Sequence, residues 1–348
     1  MKFVNIKGTK MKLLMTSIVL SLCTTMASAG EVELTESALF VEGISVNTAP
    51  YEGLNLSTEG QVKKIKRSDF SYITVTPDGK QVKTGMSKED FKIFKKAIKQ
   101  HESKGLTETL FTSLPNNAIP GNEVLVLPDG YEEAKNETFG DINPATVSNP
   151  DGRVQITNTV QNPYYFIGRI DVGCTGTLVG PRHVLTAGHC VSPGNGTWFN
   201  NLDFTVAQNA SYKPWGSEAW ATATTTTAWF NNRDGSKDYG MIVLQAAPHG
   251  GWTGFGIYNG DGTYNVTGYP GDQPTGTMWG MSGLTTSDSD DIFYTLDTAG
   301  GQSGSGVLDT SNVIRGIHTN GHNSSGNNQG TRITSSVFNV ITGWINQY

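Results

Sequence analysis

The chain is 348 residues long, 36% hydrophobic, and carries a formal net charge of −6 at pH 7. That is apolar material for one or two ordinary cores, and no apolar run reaches the ~20 residues that a membrane-spanning helix needs. A membrane-embedded protein is excluded once the amino terminus is processed, and the acidic balance leaves no footprint for nucleic acid.

Residues 1–29 open with Lys2, Lys7, Lys10 and Lys12, continue through the apolar run Leu13 to Cys23, and close on Ala27, Ser28 and Ala29. Basic, apolar and small-residue regions in that order predict a signal peptide cleaved after Ala29. The apolar run is about half the length of a membrane anchor, and Leu22 stands where a lipidated cysteine has a small residue. The protein is expected to be secreted, or periplasmic in transit.

Residues 30–145 carry 13 Lys and Arg, all but one of them lysine, against 18 Asp and Glu; residues 146–348 carry 8 bases and 13 acids, with lysine only at Lys213 and Lys237. This break in composition separates a propeptide, 30–145, from a mature half. In the propeptide Ser87 and Asp90 form a capping-box pattern ahead of Phe91, Phe94, Ala97 and Ile98 at helical spacing. Lys92, Lys95, Lys96 and Lys99 are read as the solvated face of that helix, since the segment is net negative. An α+β propeptide is expected.

The mature half is rich in Gly, Ser, Thr and Asn, with β-rich runs at Tyr164 to Ile170, His183 to Thr186 and Met241 to Leu244 between turn residues. That pattern predicts an all-β fold. Val337, Phe338, Ile341, Trp344 and Ile345 follow helical spacing behind Ser335 and Ser336, which predicts a C-terminal helix packed on the β core. With Cys23 lost in the signal, Cys174 and Cys190 form an even pair in an oxidising compartment and are expected to make one disulfide. Closing such a loop contributes about 3 kcal/mol by chain-entropy reasoning.

Three patches carry chemistry. In Leu185-Thr186-Ala187-Gly188-His189-Cys190 a histidine follows a β-like run and adjoins the expected crosslink. In Lys237-Asp238-Tyr239-Gly240-Met241-Ile242-Val243-Leu244 an acid stands at the mouth of an apolar strand, where a buried carboxylate can orient an imidazole. In Gly300-Gly301-Gln302-Ser303-Gly304-Ser305-Gly306 glycines let the backbone turn tightly beside a serine hydroxyl. Together they supply a base (His189), an orienter (Asp238), a nucleophile (Ser303), and oxyanion donors at the N–H groups of Gly301 and Ser303.

The order His, Asp, Ser with these flanks resembles the chymotrypsin-like serine peptidases, and within them the bacterial glutamyl endopeptidases. The likeness runs from Arg153-Val154-Gln155-Ile156-Thr157-Asn158-Thr159 to the C-terminus. It includes Cys174-Thr175-Gly176, Gly268-Tyr269-Pro270-Gly271-Asp272, His318-Thr319-Asn320-Gly321 and Gly330-Thr331-Arg332-Ile333-Thr334. The resemblance implies two six-stranded β-barrels with a cleft between them, divided as 146–250 and 251–348, the terminal helix belonging to the second. It also implies that Thr298 and His318 bind the carboxylate of a substrate glutamate, and that the mature N-terminus lies near Thr146 and its ammonium assists. No glutamate precedes Thr146, the nearest being Glu137, so a separate activating protease or later trimming is expected. Gly306 stands where the family usually has proline, and a second disulfide found in some relatives is absent.

Against a glutamate pocket stands Asp297, six residues before Ser303, the spacing at which trypsin-like enzymes place the acid that binds Lys or Arg. Trypsin-like specificity is therefore the alternative, and a secreted binding module that has lost catalysis is another. Among the mature histidines His183, His189, His249, His318 and His322 no HExxH or paired-cysteine spacing predicts a metal. No cofactor is expected to be required; a structural calcium would leave little trace in sequence and is not predicted. The expected partners are polypeptide substrates and the chain's own propeptide, the protein being a monomer.

Overall fold

The computed structural model describes residues 66–89, 91–92, 95, 118–119, 121–122, 150–321 and 327–348. Residues 1–29, expected to be a signal peptide, Thr146, His322 and most of 30–145 lie outside them. Of the helix expected after Ser87, residues Lys88, Glu89, Phe91, Lys92 and Lys95 are helical, with the Phe91 N–H donating to the Ser87 carbonyl at 3.1 Å; the rest lies outside the described residues.

Four short strands come first: β1 (Tyr72–Val75), β2 (Gln81–Thr84), β3 (Ala118–Ile119) and β4 (Val154–Ile156). Six follow within residues 167–244: β5 (Ile167–Ile170), β6 (Cys174–Leu178), β7 (His183–Thr186), β8 (Phe204–Val206), β9 (Trp220–Thr226) and β10 (Gly240–Leu244), with the short helix α1 (Thr227–Asn232) between the last two. The second half holds β11 (Phe255–Gly256), β12 (Thr263–Gly268), β13 (Met278–Ser287), β14 (Asp291–Tyr294), β15 (Gly306–Leu308), β16 (Ile314–Asn320), β17 (Asn328–Arg332) and the helix α2 (Ser335–Gln347).

Strands β9, β10, β7, β6, β5 and β8 pair in that order. Phe204 in β8 exchanges both backbone hydrogen bonds, each 2.9 Å, with Glu218 just ahead of β9, which closes the ring of six. The second ring runs β15, β12, β13, β14, β17, β16 and closes because β15 also pairs with β16. The two six-stranded barrels expected from the resemblance are thus present. Strands β6, β7, β8 and β10 are buried along their whole length, which is why they read as apolar and threonine runs rather than alternation.

Five strands lie outside the two rings. β4, which the sequence division places with the first barrel, pairs with β13 of the second; β11 runs parallel to β16 and carries β3 on its other edge; and β1, with β2 beyond it, pairs with β9. Residues upstream of 146 therefore contribute strands to both sheets.

Helix α2 is capped by Thr334, whose hydroxyl accepts the Val337 N–H at 3.4 Å, so Ser335 and Ser336 are its first two residues. It packs across both barrels. Phe338 meets Phe255 at 5.3 Å between ring centroids, and the fully buried Trp344 meets Tyr239 at 5.6 Å.

Candidate active site

Cys174 and Cys190 are joined, and the bond ties the start of β6 to the single-turn helix Gly188–Cys190 that carries His189. Asp238 follows the turn Gly235–Lys237 and grips His189 twice. Its Oδ1 accepts the His189 backbone N–H at 2.8 Å, and its Oδ2 lies 2.8 Å from Nδ1. An ionised carboxylate can only accept, so Nδ1 is the protonated nitrogen and Nε2 is left to take a proton. The Asp238 side chain is 2% exposed and that of His189 27%.

The backbone beside Asp238 is braced from both barrels. From β9, Thr226 Oγ1 donates to the Lys237 carbonyl at 3.0 Å and Thr225 Oγ1 to the Tyr239 carbonyl at 2.9 Å; from β17, Thr331 Oγ1 donates to the carbonyl of Asp238 itself at 3.3 Å. The Trp229 ring lies 6.1 Å from that of His189, held by a hydrogen bond from its indole N–H to the Ser192 carbonyl.

Ser303 arrives from the second barrel on the loop before β15. Its carbonyl accepts the Thr175 N–H at 2.9 Å, and the Cys190 sulfur, which has no proton to donate, lies 3.5 Å from the same oxygen. The crosslink beside the imidazole thus also touches the serine's backbone. Gly301 has φ +101°, and a Cβ there would come within 2.5 Å of the Tyr269 carbonyl; at Gly304, φ +88°, it would meet Thr175 O at 2.1 Å. Only glycine fits either position. The N–H groups of Gln302, Gly304 and Ser305 donate to the carbonyls of Ala299, His318 and Gln302. Those of Gly301 and Ser303 have no acceptor among the described residues. Ser303 Oγ likewise makes no hydrogen bond to His189 in this structure, a contact that in unliganded hydrolases often tightens only with substrate.

Thr298 and His318 are both buried. His318 Nδ1 lies 2.6 Å from the Tyr294 hydroxyl. Burial pushes the imidazole down to about 3, the charge of His189 adds to the shift, and a hydrogen bond to the Gln329 backbone opposes it, so His318 is neutral. Asp297 is also buried, and its Oδ2 accepts the Gly152 N–H at 2.7 Å. Next to it Arg153 spans Asp151 and Asp272 and reaches Gln302 Oε1 at 3.3 Å; the same oxygen accepts the Ala299 N–H.

The trypsin-like peptidase domain family matches residues 174–317. A glutamyl endopeptidase of Bacillus licheniformis is 34% identical over 221 residues, 58% of this chain and 69% of its own length. An extracellular metalloprotease of Bacillus subtilis is 34% identical over 226 residues, 59% of this chain and 72% of its own. A solved Glu endopeptidase structure superposes with TM-score 0.53 at 28% identity, covering 59% of this chain and all of that one. The chain belongs to the glutamyl endopeptidase family of chymotrypsin-like serine peptidases. It is a serine endopeptidase.

The metalloprotease name carried by one relative of this peptidase finds no fitting donor set among the described residues. The one tight group there is Cys174, His189 and Cys190, and its two sulfurs are bonded to each other rather than free as thiolates. The threonine run Thr222 to Thr227 reads in sequence as an exposed loop, but most of it is strand β9, with Thr224, Thr225 and Thr226 buried; Tyr294, Gln302 and Thr331 carry no sequence signal for a role. Arg153 and Asp272 stood inside matched motifs without a stated function, and their pairing across 119 residues has no local signature.

Proposed function

We propose that the protein is a secreted glutamyl endopeptidase, made as a zymogen, that cuts polypeptides after Glu and less readily after Asp. In this reading Ser303 Oγ attacks the scissile carbonyl as His189 Nε2 takes its proton, and the N–H groups of Gly301 and Ser303 hold the oxyanion. Collapse breaks the C–N bond, and the imidazolium passes its proton to the departing amine. A water deprotonated by His189 then hydrolyses the acyl ester and restores the hydroxyl. Asp238 keeps the imidazole in one tautomer and stabilises its charged form throughout.

The observation that carries the glutamate preference is the engagement of Asp297 by the Gly152 N–H. A trypsin-like pocket needs that carboxylate turned to a substrate cation, whereas here it holds the incoming chain. A glutamate side chain would then meet the Thr298 hydroxyl and His318, neutral groups able to donate to an anion. Peptides with Glu, Asp, Lys, Arg or Phe before the scissile bond test the reading, and a Lys or Arg preference would replace it with trypsin-like specificity. His318→Gln should lower kcat/KM for Glu peptides by roughly tenfold to a hundredfold while sparing Phe peptides; equal losses on both would make His318 a structural residue.

Activation follows from the same contact. A new terminus near Thr146 would lie six residues ahead of Gly152, within about 20 Å of the pocket wall when extended, so its ammonium can add a positive charge for the substrate carboxylate. Sequencing the N-terminus of the secreted enzyme checks this. Active material still beginning at residue 30 would contradict it.

A further inference from the structure

Strand β1 is upstream of the proposed activation site, yet it is built into the catalytic unit. It pairs antiparallel with the β9 edge, Tyr72 opposite Thr226, Ile73 opposite Thr225, Thr74 opposite Thr224 and Val75 opposite Ala223. This is the part of the edge that β8 leaves unpaired, because β8 meets the chain only at Glu218, ahead of β9. β2 folds back on β1 through a turn at Gly79, φ +81°, and its residues face solvent.

The segment brings a core of its own. Phe70, Tyr72, Val75 and Met86 are each 5% exposed or less and merge with the main hydrophobic cluster. Tyr72 stacks edge-on against Trp344 at 5.8 Å and bonds Gln347 at the end of α2. Thr74 Oγ1 lies 2.9 Å from Thr224 Oγ1 and 2.8 Å from the Tyr348 hydroxyl, and the Ser71 carbonyl accepts the Thr227 N–H at 3.0 Å. The seat therefore has both marks of strand addition: backbone pairing that supplies affinity and pockets for alternate side chains that supply choice.

The paired stretch of β9 is also the stretch whose Thr225 and Thr226 hydroxyls brace the carbonyls on either side of Asp238. With the hairpin seated, His189 and Ser303 are still partly exposed. The hairpin supports the wall of the cleft from behind and does not plug it.

We propose that residues 67–86 are a donated strand for the catalytic unit: they complete the β9 edge of the first barrel, steady the Asp238 loop through Thr225 and Thr226, and stay seated noncovalently after the chain is cut. The occupant of this edge is the protein's own leader. The proposal rests on residues 30–145 being a propeptide, and it gives that propeptide a place and a task.

The test uses the full chain with Ser303→Ala, which prevents self-digestion, and with a site for a sequence-specific protease inserted after Gly105, so that β3, which pairs with β11, stays on the downstream piece. After cutting, the two pieces should co-elute on gel filtration at micromolar concentration. Adding Thr74→Pro, which removes a ladder donor from a strand paired on both sides, should release the upstream piece and lower the melting temperature by roughly 5 °C. It should also speed hydrogen exchange at the amides of Lys237, Asp238 and Tyr239. Lys80→Ala, in the exposed turn, should do none of these. Separation of the parent pieces would overturn the proposal, and so would a Thr74→Pro form that keeps its fragment and its melting temperature. If Thr74→Pro yields no folded precursor, co-elution of the parent pieces decides. The native N-terminus and phosphonate labelling of Ser303 in the active chain report the zymogen and peptidase readings separately, so either can stand or fall without the other.

Discussion

The two barrels close in different ways. The second ring is sealed inside the catalytic unit, with three residue pairs joining β15 to β16. The first is sealed between β8 and β9 by the single bridge Phe204 to Glu218, and the rest of the β9 edge is taken by a strand from upstream of the proposed activation site. An unpaired edge of that length is a template for aggregation, and in the barrel that carries His189 and Asp238 it is covered by a segment that the proposed processing would separate from it. On the Ser303 side the upstream segment adds only the two-residue β3, which pairs with β11 outside the closed ring.

The sharpest way to break the comparison is inside the first barrel's His189–Asp238 pair. Asp238→Asn keeps the volume but turns an amide N–H toward His189, forcing the wrong imidazole tautomer. We expect kcat to fall roughly 10⁴-fold, with the melting temperature within a few degrees of the parent. A fall of less than tenfold, measured with active sites titrated, would remove Asp238 from the mechanism.

A smaller effect should come from the helix that spans both barrels. Trp344 is fully buried and packs on Tyr239 of the first barrel and edge-on against Tyr72 of β1. Trp344→Ala should cost about 3–5 kcal/mol. Hydrogen exchange should rise more in β10 and β9 than in β16, and uniform deprotection would mean that the two rings unfold as one unit.

Much of this was legible in the sequence because its signals are local. The glycines around Ser303, the histidine beside Cys190, the acid at the mouth of β10 and the 3.6-residue spacing of α2 each declare themselves within a dozen residues. The pairing of β1 with β9 joins positions about 150 apart, between a lysine-rich segment and a threonine run, and neither stretch names its partner. Asp297 is the clearest case of what spacing cannot decide. Its position alone suggests a cation pocket, and only its contact with Gly152, 145 residues away, gives the carboxylate another task.

The least disruptive probe lies in the second barrel, at the start of β14. Burial pushes the Asp291 carboxyl up to about 6, with the charges of Asp288, Asp290 and Asp238 adding to the shift and a hydrogen bond to Gln329 opposing it. A carboxyl whose folded value is raised above its ordinary 3.8 favours the native state most when protonated; that contribution is complete below pH ~4 and lost as pH rises through about 6. Asp291→Asn, always neutral, should therefore match the parent in stability near pH 4 and exceed it above pH 6. Asp291 is only partly buried, so solvent screening keeps the gain small, read as a modest rise in melting temperature at pH 7.5. A variant less stable than the parent at both ends would mean that the charged carboxylate makes a favourable contact, and the second barrel would then have an electrostatic dependence of its own.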